Sequence, residues 1–575
     1  MWGTHTGEKE LGLVCHPKAA SGEARIVVLT KRRGYDLSRL MSTFLNREEQ
    51  EQNHFLGRLR GSLGRVEEVA GVRRETIAAS LFLGASPSPS WKEELGEELP
   101  FGGYAKKRYA GPVNQLRTRL ALVCLLAPAA CTSAAAQVSG TKRPNVVLIT
   151  LDTMRADHMG CYGYFRKTSP NLDQLAASSV LFERCLVPMS TTLPSHTSMF
   201  TGVWPAEHGV LANVKKQFIY ERDPSLVTLA EVFQSAGYRT AAFVSAYPLR
   251  AEAGLATGFE VYNQPKHSKE RDAEKSTRQA MLWLKDVGQQ PFFLWVHYFD
   301  PHGPYLPPSP YDEAFKTTDE LRQWLGDRAV ALTVFRSKVK RTELGNRVNV
   351  LGSVNQYDGE IAFMDHHIGV LLDYLKEANM WNRTIVAVMG DHGEGLNQHR
   401  EPGHGFSWDE QVRVPFFIRA PGLNPRMESK LVSATDLGPT LFGLVGLPDS
   451  EHKSAYELRT RGFDVLRESF EPRPLLVQSS ARAELIEHRS ELALTTGRWK
   501  FMRRSDGGSS LFDLDRDPFE LHDVAVLYPQ KVVELSAVAE RLLVEQVARG
   551  QSSRRPATEE EIDSLRALGY GGDDD

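Results

Sequence analysis

The sequence predicts an α/β fold: a doubly wound, mostly parallel sheet with helices on both faces, followed by a smaller C-terminal α+β subdomain with a short antiparallel sheet. Three observations predict it. Apolar runs suited to strands buried on both faces recur along the chain. A helical pattern separates two of them. Several of the runs end in Asp, at the point where a doubly wound sheet presents its ligand-bearing side chains.

The runs are Val146–Ile149, Ala241–Val244, Phe292–Val296, Ile385–Met389 and Pro415–Ile418. Ile361, Met364, Ile368, Leu371, Leu372 and Leu375 recur at spacings of three or four and predict a helix between the third run and the fourth. Asp365, His366 and His367 ride that helix, and its pattern accounts for them as structural residues. After about residue 430, Leu475–Val477, Leu492–Thr496 and Trp499–Phe501 predict the antiparallel sheet, with Gly507–Ser510 as a turn and a helix over Lys531–Ala548.

With 575 residues, 41% of them hydrophobic, the chain exceeds one ordinary domain and can bury a large core. The expected divisions are an upstream extension over 1–112, an export segment and linker over 113–141, a catalytic domain over 142–430, a C-terminal subdomain over 431–550 and a tail over 551–575. A net charge of −3 gives no electrostatic ground for nucleic acid as the partner of the main domain. Cys15, Cys124, Cys131, Cys161 and Cys185 are irregularly spaced, which argues against a disulfide framework and a cysteine zinc site; Cys161 and Cys185 read as buried free thiols.

Arg117 and Arg119 precede the apolar run Leu120–Ala130, and small residues surround Cys131, the pattern of a signal peptide. The run is too short to span a bilayer. The expectation is an exported protein, periplasmic, secreted or lipid-anchored at Cys131, with its biological start near Val113. Residues 1–112 then read as an over-extended start or a fused upstream fragment. Within them, Leu63–Ile77 has the look of a helix-turn-helix, a pattern that many unrelated helical pairs share.

The chemistry concentrates in three segments. Asp152 ends the first apolar run, Asp391-His392 ends the fourth, and Thr192-Leu193-Pro194-Ser195-His196 lies between them. An Asp after a buried strand is often a helix N-cap. Two such residues, one beside a His, together with Asp300-Pro301-His302 and Gly403-His404-Gly405, favour a divalent cation held by Asp152, Asp391 and His392 with the Thr192 hydroxyl completing the set.

These residues carry a family resemblance. Arg143–Gly163, which contains Leu148-Ile149-Thr150-Leu151-Asp152-Thr153, resembles the opening of the sulfatase family within the alkaline phosphatase superfamily. Thr168–Ala176, Phe299–Tyr305, Gly390–Gly405, Arg413–Pro415, Asp436–Thr440 and Leu511–Pro518 are similar to later family elements, so the resemblance spans about 142–570. It implies that Asp152, Asp391 and His392 are metal ligands and that Thr192 stands at the nucleophile position, where the family has the Cys or Ser converted to formylglycine. His302 matches a family histidine near the leaving group or sulfate oxygens, His404 takes the place of a substrate-binding lysine, and His196 that of an arginine. The second Asp of the usual Asp-Asp pair is Thr153, and Val244-Ser245-Ala246 occupies the place of a Gly-Lys-Trp-His element.

The departures bear on mechanism. Formylglycine hydrate has two hydroxyls and expels sulfate by elimination; Thr192 has one, so no formylglycine is expected and a Thr192 ester must be hydrolysed by water. The resemblance therefore implies a metal-dependent sulfate ester hydrolase, with a phosphodiester or phosphonate hydrolase and a catalytically silent binding protein as alternatives. Catalysis falls to Thr192, His196, His302 and His404. The cofactor is expected to be one divalent cation, Ca or Mg/Mn; a two-metal Zn/Mn site follows if Asp300, His302 and His404 bind a second ion. The expected partner is a small-molecule or carbohydrate sulfate or phosphate ester.

Overall fold

The computed structural model describes residues 10–17 and 24–31, then 143–559 apart from 216–217, 221, 266–269, 331–333, 337–346, 480–490, 505–506, 551–553 and 557. The chain divides into two compact units, Met1–Thr132 and Ser133–Asp575. In the first, Glu10–Pro17 pairs antiparallel with Ala24–Lys31. The helix-turn-helix-like stretch, the export segment and Cys131 lie outside the described residues. Among the described residues, no helix is long and apolar enough to cross a membrane.

The second unit is built on a 9-stranded sheet. Its strands are β1 (Asn145–Leu151), β2 (Val180–Leu186), β3 (Arg239–Phe243), β4 (Val261–Asn263), β5 (Phe292–Tyr298), β6 (Thr384–Gly390), β7 (Arg413–Arg419), β8 (Arg426–Glu428) and β9 (Val432–Ser433). They lie in the order β8-β2-β7-β6-β1-β5-β3-β4, with β9 also beside β2. The neighbours β6, β1, β5, β3 and β4 run parallel, and β7 runs antiparallel to both β6 and β2. The register of β7 shifts between Val414 and Phe416, at Pro415, which has no N–H for the ladder.

The helices used below are α1 (Pro170–Ala176), α2 (Thr192–Thr201), α3 (Leu229–Ser235), α4 (Ala273–Asp286), α5 (Val350–Glu377), α6 (Leu437–Val445) and α7 (Pro529–Arg549). The sheet separates two apolar cores. Val146 and Leu148 of β1 pack with Phe293 and Trp295 of β5 beneath α2, α3 and α6. Val147, Ile149 and Leu151 pack with Leu294 and Val296 beneath α1, α4 and α5 on the other face. Alternate residues of one strand feed opposite cores, which is why these strands read as continuous apolar runs.

The C-terminal sheet is antiparallel in the order β10 (Leu475–Gln478), β11 (Leu492–Thr495), β12 (Trp499–Arg503), β13 (Ser509–Asp513), and α7 buries Leu535, Ala539 and Leu543 against it. Cys161 and Cys185 are free thiols; Cys185 is buried as expected, whereas Cys161 is only half-buried.

Candidate active site

The parallel pairing of β6 with β1 sets Gly390 beside Leu151, so the next residues, Asp391 and Asp152, emerge together at the carboxyl edge. The ladder continues into the site: Asp391 N–H donates to Leu151 O at 3.0 Å, and Asp152 N–H to Tyr298 O at 2.9 Å. Neither Asp begins a helix, so helix capping does not account for either one.

Thr192 is the first residue of α2, whose ten residues are all buried. The helix is held over the sheet edge by Ser195 Oγ, which donates to Asp391 O at 2.6 Å, and by Leu193 N–H, which donates to Asn213 Oδ1 at 2.8 Å. It ends at Gly202, which has φ of 67° and where a Cβ would fall 2.1 Å from Thr460 Oγ1. Thr192 Oγ1 lies 3.5 Å from Asp152 Oδ2 and 3.4 Å from His392 Nε2. His392 Nε2 is 3.6 Å from Asp152 Oδ1 and 3.7 Å from Asp391 Oδ2.

These donors fit a divalent cation. Asp152 Oδ1 and Asp391 Oδ2 are buried without a hydrogen-bond partner. His392 Nδ1 is 2.9 Å from Gly393 O, a carbonyl that can only accept; Nδ1 therefore carries the proton and Nε2 offers a lone pair. The donor spacings are close to the roughly 3.0–3.5 Å expected between neighbouring ligands of an ion held at about 2.1 Å. The electrostatics agree. Burial pushes both carboxyls well above their usual range, and Asp152 raises Asp391 further. Burial pushes His392 down.

Thr153 meets the site through its backbone. Its N–H donates to Asp391 Oδ1 at 3.1 Å and its carbonyl accepts from Tyr357 Oη at 2.6 Å, while φ is 51° and Oγ1 is buried without a partner.

His302 and His404 converge on the other side of His392. Their Nε2 atoms are 3.3 Å apart, and the His404 ring centroid is 4.4 Å from that of His392. His302 Nδ1 is 2.7 Å from Gly303 O and His404 Nδ1 is 3.2 Å from Ser190 O, so each Nδ1 carries a proton. Two facing Nε2 lone pairs repel; the pair is satisfied by one shared proton or by a cation between them. Asp300 Oδ1 accepts from Ala273 N–H at 2.9 Å at the start of α4, its Oδ2 is buried without a hydrogen-bond partner, and burial pushes the carboxyl up to about 7.

His196 lies behind the nucleophile, with Nδ1 2.8 Å from Thr192 O and 3.5 Å from Asp391 Oδ2. Sequence reasoning missed His297, the next to last residue of β5. Its Nε2 is 3.4 Å from Asp152 Oδ2, and its ring centroid is 5.0 Å from that of His196. A single His inside a fully buried apolar run was the available signal.

Comparison with known proteins agrees with this architecture. The family model described as sulfatase matches residues 144–447. The chain belongs to the sulfatase family. An arylsulfatase of Clostridium perfringens (strain 13 / Type A) is 26% identical over 452 residues, covering 66% of this chain and 89% of the relative. A choline-sulfatase of Rhizobium meliloti (strain 1021) is 24% identical over 443 residues, covering 67% and 83%. Among solved structures, the phosphonate monoester hydrolase of Agrobacterium radiobacter aligns with a TM-score of 0.57 at 20% identity, covering 72% of this chain and 100% of that one. A 2-O GAG sulfatase aligns with a TM-score of 0.55 at 18% identity, covering 70% and 93%. The two structures share the fold. This sulfatase-family hydrolase thus has a site whose carboxylate and imidazole groups can hold a metal ion.

Proposed function

We propose that the protein hydrolyses a sulfate ester with Thr192 as the nucleophile. The observation that carries this reading is the Thr192 hydroxyl, 3.5 Å from Asp152 Oδ2 and 3.4 Å from His392 Nε2 at the start of a buried helix. Asp152, Asp391, His392 and Thr192 would hold the divalent cation. Bound there, the ion supplies positive charge that lowers the hydroxyl pKa and offsets charge on the substrate oxygens.

The chain's own groups do the rest. The Thr192 hydroxyl is directed at Asp152 Oδ2. Its proton passes to Asp152 Oδ2 as its oxygen forms a bond to sulfur and the bond to the leaving alkoxide or phenoxide breaks. The proton shared by His302 and His404 goes to that leaving oxygen. Water, giving a proton to the His302–His404 pair, then forms a bond to the sulfur of the threonyl ester; the bond from sulfur to the Thr192 oxygen breaks, sulfate leaves, and that oxygen takes its proton back from Asp152. The amino end of α2 adds the positive end of a helix dipole where the substrate's oxyanions sit. Residues 113–141, with Cys131, support placing the activity outside the cytoplasm.

A second reading is a phosphodiester or phosphonate hydrolase, favoured by the single hydroxyl of Thr192. An attacked phosphoryl group leaves an enzyme ester that water resolves, and no second hydroxyl is needed. The names of the relatives, arylsulfatase and choline-sulfatase, favour the sulfate ester of a small molecule. Assay of an aryl sulfate, an aryl phosphate and an aryl phosphodiester with Ca²⁺, Mn²⁺ or Zn²⁺ separates the readings. Activity that survives Thr192→Ala excludes the proposed nucleophile. No turnover and no cation binding leaves the silent binding protein.

A further inference from the structure

His196 and His297 lie beside the two carboxylates, His196 also against the Thr192 carbonyl. With Asp391 they also form a group whose ligand atoms lie within 4.8 Å of one another, which on distance alone suits a second cation. The hydrogen bonds decide against that use. Thr192 O can only accept, so His196 Nδ1, at 2.8 Å, carries a proton. At the other side of the ring, Trp295 Nε1–H donates to Thr150 Oγ1 at 2.8 Å, which leaves the Thr150 hydroxyl proton to donate to His196 Nε2 at 3.1 Å. Both His196 nitrogens are committed. Ser245 N–H, an obligate donor, points at His297 Nδ1 at 3.3 Å, so the proton of His297 is on Nε2, the atom 3.4 Å from Asp152 Oδ2.

We propose that His297 is a positioning residue: a neutral imidazole whose Nε2–H faces Asp152 Oδ2, so that cation affinity depends on it. The sheet register makes this pairing. His297 is the partner of Thr150 and Trp295 the partner of Leu148, so all four residues share the face that Asp152 continues. Such a donor fixes which Asp152 oxygen turns to the ion, and a neutral one leaves the full negative charge of the carboxylate to it. His196 instead gives its Nδ1–H to the carbonyl of Thr192.

The inference rests on the cation reading proposed above, and its test separates the two. Mn²⁺ binding to the full-length protein is measured by isothermal titration calorimetry, for the wild type and for His297→Leu, His297→Asn and His297→Gln. Gln reaches far enough to place an N–H where Nε2 stood; Asn reaches only the Nδ1 position, where it still accepts from Ser245. Expected are Mn²⁺ affinities within about threefold of wild type for Gln and weakened about ten- to a hundredfold for Leu and Asn. If Leu fails to fold, the comparison of Asn with Gln carries the same discrimination between two polar variants. Equal affinity for Asn, Gln and wild type overturns the positioning role alone. A wild type that binds no Mn²⁺ overturns the cation reading and this inference with it.

Discussion

Replacing Lys500 by Met should destabilise the protein in a pH-dependent way. Lys500 lies on β12 with its side chain fully buried; its Nζ donates to Asp409 Oδ1 at 2.8 Å and contacts Glu520 Oε1. Asp409 N–H donates to Glu520 Oε2 at 2.9 Å. The same stretch braces the site: Gly393 N–H, next to His392, donates to Gln411 O at 2.7 Å, and Phe406 N–H donates to Gln411 Oε1 at 2.9 Å. Met keeps the apolar stem and deletes the charge, so the loss reports the uncompensated carboxylates. Breaking a buried pair in this way costs about 3–5 kcal/mol.

The pH dependence has a definite sign. Burial already pushes the Glu520 carboxyl up to about 7. Removing Lys500 takes away a cation that held it down, so it rises further. Below that range Glu520 takes up a proton and only Asp409 remains charged. The destabilisation should therefore be full near pH 8 and smaller near pH 5.5, as measured by urea unfolding at both values. A loss below about 1 kcal/mol near pH 8, or the same loss at both pH values, refutes the reasoning.

Three further outcomes are expected. Thr192→Ala should lower kcat by on the order of 10³ or more, while Thr192→Ser should retain turnover, measured on whichever ester the wild type cleaves. In chelator, thermal stability should fall as pH rises from about 5 to 8. The folded Asp152 and Asp391 carboxyls are raised above their unfolded values, so the folded state binds more protons and loses stability as they ionise. Mn²⁺ should restore stability most at the high end, and a chelated protein more stable at pH 8 than at 5 contradicts this. Asp365→Ala should cost roughly 2–4 kcal/mol with KM unchanged, because it removes the acceptor of Asn171 N–H at 3.0 Å, Asn171 Nδ2 at 2.8 Å and Leu172 N–H at 2.8 Å at the start of α1.

What could be read from sequence follows from where each residue sits on its strand. Asp152 and Asp391 end apolar runs, and a strand end is legible because the pattern stops there; parallel pairing then brings equivalent ends together without further information. His297 and Lys500 lie inside strands, where periodicity reports burial and nothing else. The role of His297 depends on its register against Thr150, and that of Lys500 on Asp409 and Glu520, which reach it from separate segments. The run 415–418 announced a strand without its direction, since a strand buried on both faces reads the same either way. Thr153 inverts the usual inference. Counted by side chain it is a lost ligand, yet its backbone N–H holds Asp391 Oδ1 and so turns Oδ2, the oxygen without a partner, toward His392 Nε2. A position whose service is rendered by its main chain needs no ligating side chain, and Thr153 is therefore compatible with a working site.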